Sequence, residues 1–209
     1  MKKNLKSITL VLITATALVF NFTACGGKKG DTADVGTAGE TTESTSSTVV
    51  SAESYDVGDF TVDVPDNYCV VTLPDYSADA DEDGNQPPHT DSIGLIQGGE
   101  SEWDAFDKPT MYIYYYAETT AEEEFESASW LYSDIKEFDY SINGTDCIAM
   151  EGTLGSGESD EDPYEYYLIY VPITESDCIN VILPKSVDGL SMDPEAEDVK
   201  AIIESVALK

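Results

Sequence analysis

Oxygen-bearing side chains recur at alternate positions in one short stretch, Asp79, Asp81, Asp83 and Asn85, with Gly84 beside the last. This D-x-D-x-D-G spacing is used by calcium loops, because alternate residues converge on one ion and the glycine permits a sharp turn. The full pattern also requires a bidentate glutamate twelve positions into the loop. Counted from Asp79, that position is Thr90. Half of a calcium loop is therefore present, and the alternative is a solvated acidic loop. A second set is aromatic. Tyr112, Tyr114 and Tyr116 share one side of an extended run, and Tyr164, Tyr166 and Tyr170 share one side of another. Left exposed, such a ladder suits a glycan or a peptide. Under a helix it is ordinary cross-strand packing.

The thiols and the single histidine offer less. Cys69 alternates with Val71 and Leu73, as a buried thiol would. Cys147 and Cys178 fall on strands of successive hairpins and are a candidate disulfide if those strands are neighbours. There is no C-x-x-C, so redox or zinc chemistry lacks its usual spacing. His89 follows Gln86-Pro87-Pro88 with no nucleophile elbow nearby. With 42 Asp and Glu residues, any chance pair of carboxylates says nothing about glycoside hydrolysis. The expectation is a protein that is not an enzyme, with a small envelope hydrolase as the remotest reading.

Charge excludes further classes. The 209 residues carry 42 acidic and 10 basic side chains, a formal net charge of −32, and every basic residue is a lysine. Phosphate backbones repel such a chain, so no nucleic-acid partner is expected. Without arginine there is no planar fork for phosphate or carboxylate ligands. A lone histidine excludes a multi-histidine metal centre.

The elements that must position these residues begin near Tyr55. Phe60–Pro65 alternates like a strand, Tyr68–Leu73 is a second, and an acidic loop runs from Pro74 to about Asp91. Ser92–Gln97 and Thr110–Ala117 are further strands. Thr119 and Thr120 each precede a glutamate by three residues, the capping-box spacing. Ala121, Phe125, Ala128, Tyr132 and Ile135 then form one apolar helical stripe. Asn143-Gly144 between Glu137–Ile142 and Thr145–Leu154 predicts a tight hairpin. Tyr164–Ile173 and Cys178–Leu183 form another strand pair around Thr174–Asp177. A last helix is expected with Asp193 as cap, Pro194 in its first turn, and Ala196, Val199, Ile203 and Val206 buried. The fold class is therefore α+β: an antiparallel sheet of about six to eight strands covered by two helices.

The amino end reads as an address. Lys2, Lys3 and Lys6 precede an apolar run, Ile8 to Phe20, shorter than the ~20 residues that span a bilayer. Phe22-Thr23-Ala24-Cys25-Gly26 follows and resembles the bacterial lipoprotein signal, with Phe22 where leucine is usual. The resemblance implies that residues 1–24 are a signal peptide and that Cys25 becomes a lipidated first residue. The protein would then be anchored to the membrane on its extracytoplasmic side. Residues 25–54, rich in Gly, Ser, Thr and acids, are expected to be a flexible tether ahead of a single domain over 55–209. The order of elements, with the opening FTVDVPDNY and the final helix, resembles the PsbP and Mog-type α/β/α fold across residues 58–207. Proteins of that fold bind proteins or ions or have no known role, so the resemblance fixes no function. Three functions follow as expectations: a non-catalytic binding or protein-interaction domain for a protein, peptide or glycan; a calcium-dependent structural or adhesive module; or the hydrolase. No cofactor is expected except calcium.

Overall fold

A computed structural model describes residues 52–154 and 163–209. The expected signal peptide, Cys25 and nearly all of the expected tether lie outside the described residues.

The described residues form twelve strands and two α-helices. The strands are β1 Ala52–Asp56, β2 Phe60–Pro65, β3 Tyr68–Pro74, β4 Pro88–Gln97, β5 Thr110–Tyr116, β6 Tyr132–Glu137, β7 Ser141–Ile142, β8 Thr145–Asp146, β9 Ile148–Leu154, β10 Glu165–Pro172, β11 Cys178–Ser186 and β12 Ala207–Leu208. The helices are α1 Ala121–Ala128 and α2 Glu197–Glu204. Seven strands make one antiparallel sheet in the order β3-β4-β5-β11-β10-β9-β6. Two meanders, β3-β4-β5 and β6-β9-β10-β11, are thus joined by the pairing of β5 with β11. The fold class is α+β, as the patterning predicts.

Alternation divides the side chains between two faces. On one face, Ile93, Leu95, Met111, Ile113, Ile169, Ile179 and Val181 are buried against Phe60 and Val62 of β2 and Val199, Ile202 and Ile203 of α2. Tyr68 donates to Asp198 of α2 at 2.9 Å, and Gln97 donates to the same carboxylate at 3.1 Å. On the other face, Met150, Leu168, Tyr170 and Cys178 are buried under Ala121 and Phe125 of α1.

Local chemistry explains most ends. Thr120 caps α1: its hydroxyl accepts from the Glu123 amide, and the Glu123 carboxylate accepts from the Thr120 amide. Asn143 and Gly144 have φ of 51° and 78°, the pair of positive values that a two-residue hairpin turn requires. Gly58 (φ 136°) has no alternative, because a Cβ there would lie 2.5 Å from that of Thr90.

Five expectations need correction. The helical stripe stops at Ala128: Ser129–Leu131 is a 3₁₀ turn, and Tyr132 and Ile135 lie on β6. Tyr and Ile are strand formers, and without β6 the ladder of β9 would be open. Glu137–Ile142 is not one strand, since β6 ends at Glu137 and only Ser141–Ile142 pairs with β8. The expected tether reaches too far, because Ala52–Asp56 pairs with β2. Asp193 does not cap α2. Its carboxylate accepts from the Glu195 amide in a turn around Pro194, and the helix starts after Ala196. Finally, Cys147 and Cys178 are separate thiols. β10 stands between β9 and β11, and the two cysteines pack in clusters on opposite faces of the sheet.

Candidate functional site

The strand register assembles a row across the α1 side of the sheet. Ser92 of β4 faces Tyr114 of β5, which faces Asn180 of β11, which faces Tyr170 of β10. The next row along the strands is Gly94, Tyr112, Ile182, Leu168. Tyr116 faces Cys178 beyond. The two tyrosine sets predicted on separate strands therefore converge on one face, with β11 between them. Tyr112 and Tyr114 stack at 6.5 Å between ring centroids and 28° between planes. Gly94 makes room for this, because a Cβ there would sit 3.2 Å from the Tyr112 ring. Tyr164 stands at the rim, exposed, and donates to Asp188 at 3.2 Å.

Helix α1 packs on β9, β10 and β11 and covers one side of this face. Phe125 meets Tyr170 edge-on at 6.0 Å. Tyr112, Tyr114, Tyr116 and Tyr166 remain half-buried, while Tyr170 and Asn180 are buried. Tyr170 is core under the helix, while Tyr112, Tyr114 and Tyr116 on β5, one strand beyond β11, are only partly buried.

Two polar atoms beneath this face have no hydrogen-bond partner among the described residues, the Tyr170 hydroxyl and the Asn180 side-chain oxygen. A buried orphan is destabilising by about 1–3 kcal/mol, so its retention asks for an explanation. Burial pushes the Tyr114 hydroxyl up to about 12, helped by Tyr112, Tyr132 and Asp91. The Tyr116 and Tyr170 hydroxyls are pushed up further by burial, with the charge of Glu124 adding to both.

Sequence reasoning missed Glu124. Ala121, Glu124, Phe125 and Ala128 are spaced i, i+3, i+4, i+7, so this carboxylate rides on the sheet-facing stripe of α1. Burial raises its pKa, the Glu123 charge raises it further, and a hydrogen bond from Thr119 opposes both. The signal was the spacing itself: an acid inside an apolar stripe.

The acidic loop has a different arrangement from a metal cage. Asp79, Asp81, Asp83 and Asn85 are all exposed. The Asp81 carboxylate accepts from the Asp83 amide at 2.9 Å, from the Asn85 amide at 2.8 Å and from the Asn85 side chain at 3.1 Å. Asn85 therefore presents a donor toward Asp81, and the carboxylate serves as the hub of a turn. These bonds hold the Asp81 carboxyl below its ordinary pKa. No group of three or more His, Cys, Asp or Glu side chains is placed to hold a metal among the described residues.

His89 has its Nδ1 at 3.0 Å from Asp91 and its Nε2 at 4.0 Å from Asp75. Ser77 donates to Asp75 at 2.6 Å, and the imidazole is flanked by the Asp75 and Asp91 carboxylates. On the opposite face lies an open cleft of about 640 Å³ lined by Glu137, Asp139, Asp146, Glu195, Tyr140 and Lys200. Lys200 pairs with Glu195 at 2.5 Å and sits 5.4 Å from the Tyr140 ring centre.

No protein-family model and no curated protein matches this sequence. The fold is similar to that of a Bacteroides thetaiotaomicron VPI-5482 protein at 8% identity and a TM-score of 0.43. That match covers 75% of this chain, which spans about half of the other's length (48%). The chain is also similar to the cyanobacterial PsbP of Synechocystis sp. PCC 6803, at 12% identity and a TM-score of 0.38, over 80% of this chain and 98% of that one.

Proposed function

We propose that the chain is a lipid-anchored extracytoplasmic binding protein without catalytic activity, which takes its ligand on the tyrosine-lined face beside α1. One observation carries the reading: two tyrosine-bearing strands, β5 and β10, meet across β11 above unpaired buried polar atoms, with α1 leaving the β5 side open. Tyrosine offers a rigid ring and a hydrogen-bonding tip at small entropy loss, which suits recognition better than stability. Lys2, Lys3, Lys6, the apolar run and Cys25 support the anchor, as does the resemblance of the Cys25 region to the lipoprotein signal. The calcium-dependent reading has weaker support, because the lone pairs of Asp81 already serve its own turn.

The test has two arms. Palmitate incorporation should disappear in Cys25→Ala. A thermal-shift panel of glycans, blocked peptides and amines should contain a class that raises the melting temperature of the wild type but not of Tyr114→Ala. A ligand at a hundred times its Kd stabilises by about 2.7 kcal/mol, well within the reach of such a screen. A panel in which Tyr114→Ala responds like the wild type would refute the assignment of the face.

A further inference from the structure

The chemistry of the tyrosine face narrows its ligand. Alternation sends Ile179 and Val181 into the core on the α2 side, so Asn180 points to the α1 side, between Tyr114 and Tyr170. Its unpaired atom is an acceptor. Glu124, on the sheet-facing stripe of α1, brings a second acceptor, and no lysine among the described residues forms an ion pair with it. The half-buried Tyr112, Tyr114 and Tyr116 contribute aromatic rings, which attract cations. A chain of charge −32 raises the local concentration of cations further. An unpaired acceptor, a carboxylate without a cation and aromatic walls together favour a donor that carries positive charge. An ammonium meets that description; a neutral sugar or an anion does not.

Resting on the reading that this face is the binding surface, we infer that it receives a primary alkylammonium group at the Glu124 carboxylate, above the buried Asn180 oxygen and Tyr170 hydroxyl, with its aliphatic stem along Tyr112 and Tyr114. A free amine and a lysine side chain share this chemistry.

Titration calorimetry on the full chain in detergent, at about 150 mM NaCl to suppress diffuse attraction, tests it with three probes. These are cadaverine, the uncharged pentanediol of the same length, and a terminally blocked Gly-Lys-Gly peptide. Cadaverine or the peptide should bind while the diol does not, and whichever is tighter identifies the source. Glu124→Gln, nearly isosteric, and Asn180→Ala should each weaken the amine about tenfold or more. Glu197→Gln removes an exposed charge from α2 and should change nothing. Equal weakening by Glu124→Gln and Glu197→Gln would overturn the inference in favour of diffuse charge attraction, as would binding of the diol with the same affinity. If Asn180→Ala does not fold, the Glu124→Gln result decides alone. A neutral ligand that binds in a Tyr114-dependent manner while both amines fail would sink the ammonium and leave the face standing. Failure of both amines would overturn the ammonium, and the face itself is then decided by the Tyr114→Ala panel.

Discussion

Tyr140 and Tyr170 are both buried, yet their hydroxyls stand in opposite situations. Tyr140 donates to the Pro194 carbonyl at 2.8 Å, while the Tyr170 hydroxyl has no partner among the described residues. A paired hydroxyl contributes about 1 kcal/mol net, whereas an orphan is a liability. Tyr140→Phe should therefore lower stability by about 1 kcal/mol, and Tyr170→Phe should leave it unchanged or raise it, read from urea midpoints at constant slope. The same Tyr170→Phe change should weaken any amine, the trade expected where a binding site retains an unpaired group. A drop of equal size in both variants would mean that the Tyr170 hydroxyl is satisfied in solution. Which of the two hydroxyls finds a partner is invisible in the sequence, because both tyrosines occupy core-facing positions. The carboxylates of the acidic loop were visible, but their partners were not: Asn85 reads as a ligand by spacing and acts as a donor by geometry.

Among the elements, the strand β1 carries the sharpest consequence. Tyr55 and Val57 pack against the main cluster, all five β1 residues pair with β2, and Asp56 forms an ion pair with Lys209. A chain beginning at Gly58 should be less stable than one beginning at Ser51 by about 2 kcal/mol, the scale of one buried apolar side chain. Urea melts of the two give the answer, and coincident curves would make β1 an ornament of the edge. Composition hides this strand: AESYD is short and acidic, and only its partner, the alternating FTVDVP, gives it a reason to extend. The helix α1 shows the opposite failure. Its start is legible because a capping box is local chemistry, but its end is not, because Tyr132 and Ile135 continue the helical spacing. What redirects them is the open edge of β9, some twenty residues further along the chain. The Asn-Gly hairpin and the β10–β11 pair were legible for the same reason as the cap: each is set by residues next to one another.

At the scale of the whole molecule, the pairing of β5 with β11 joins segments that begin at Thr110 and Cys178, and no local pattern announces it. That pairing nevertheless builds the tyrosine face and buries Cys178 beside Tyr116. The result is a pH dependence. Burial, with the charges of Glu124, Asp177 and Glu122, pushes the Cys178 thiol up to about 11 from an ordinary 9.0. Tyr114 and Tyr166 rise to about 12 from 10.0, again through burial first. Each folded value lies above the unfolded one, so the unfolded chain loses its protons first as pH rises. The stabilisation is complete below pH 9 and drains away as the pH climbs through 11 and 12. Cys178 alone contributes up to about 3 kcal/mol of that slope. Mutual repulsion within a chain of charge −32 steepens the loss, and added salt should offset the repulsive part only. Melting temperature followed against pH should therefore hold level to about pH 9 and then fall. In Cys178→Ala the fall between pH 9 and 11 should be shallower, with the part due to the half-buried Cys147 thiol and the tyrosines remaining. A wild-type curve that stays flat to pH 11, or a loss between pH 9 and 11 that Cys178→Ala leaves undiminished, would mean that the Cys178 thiol is not buried under α1.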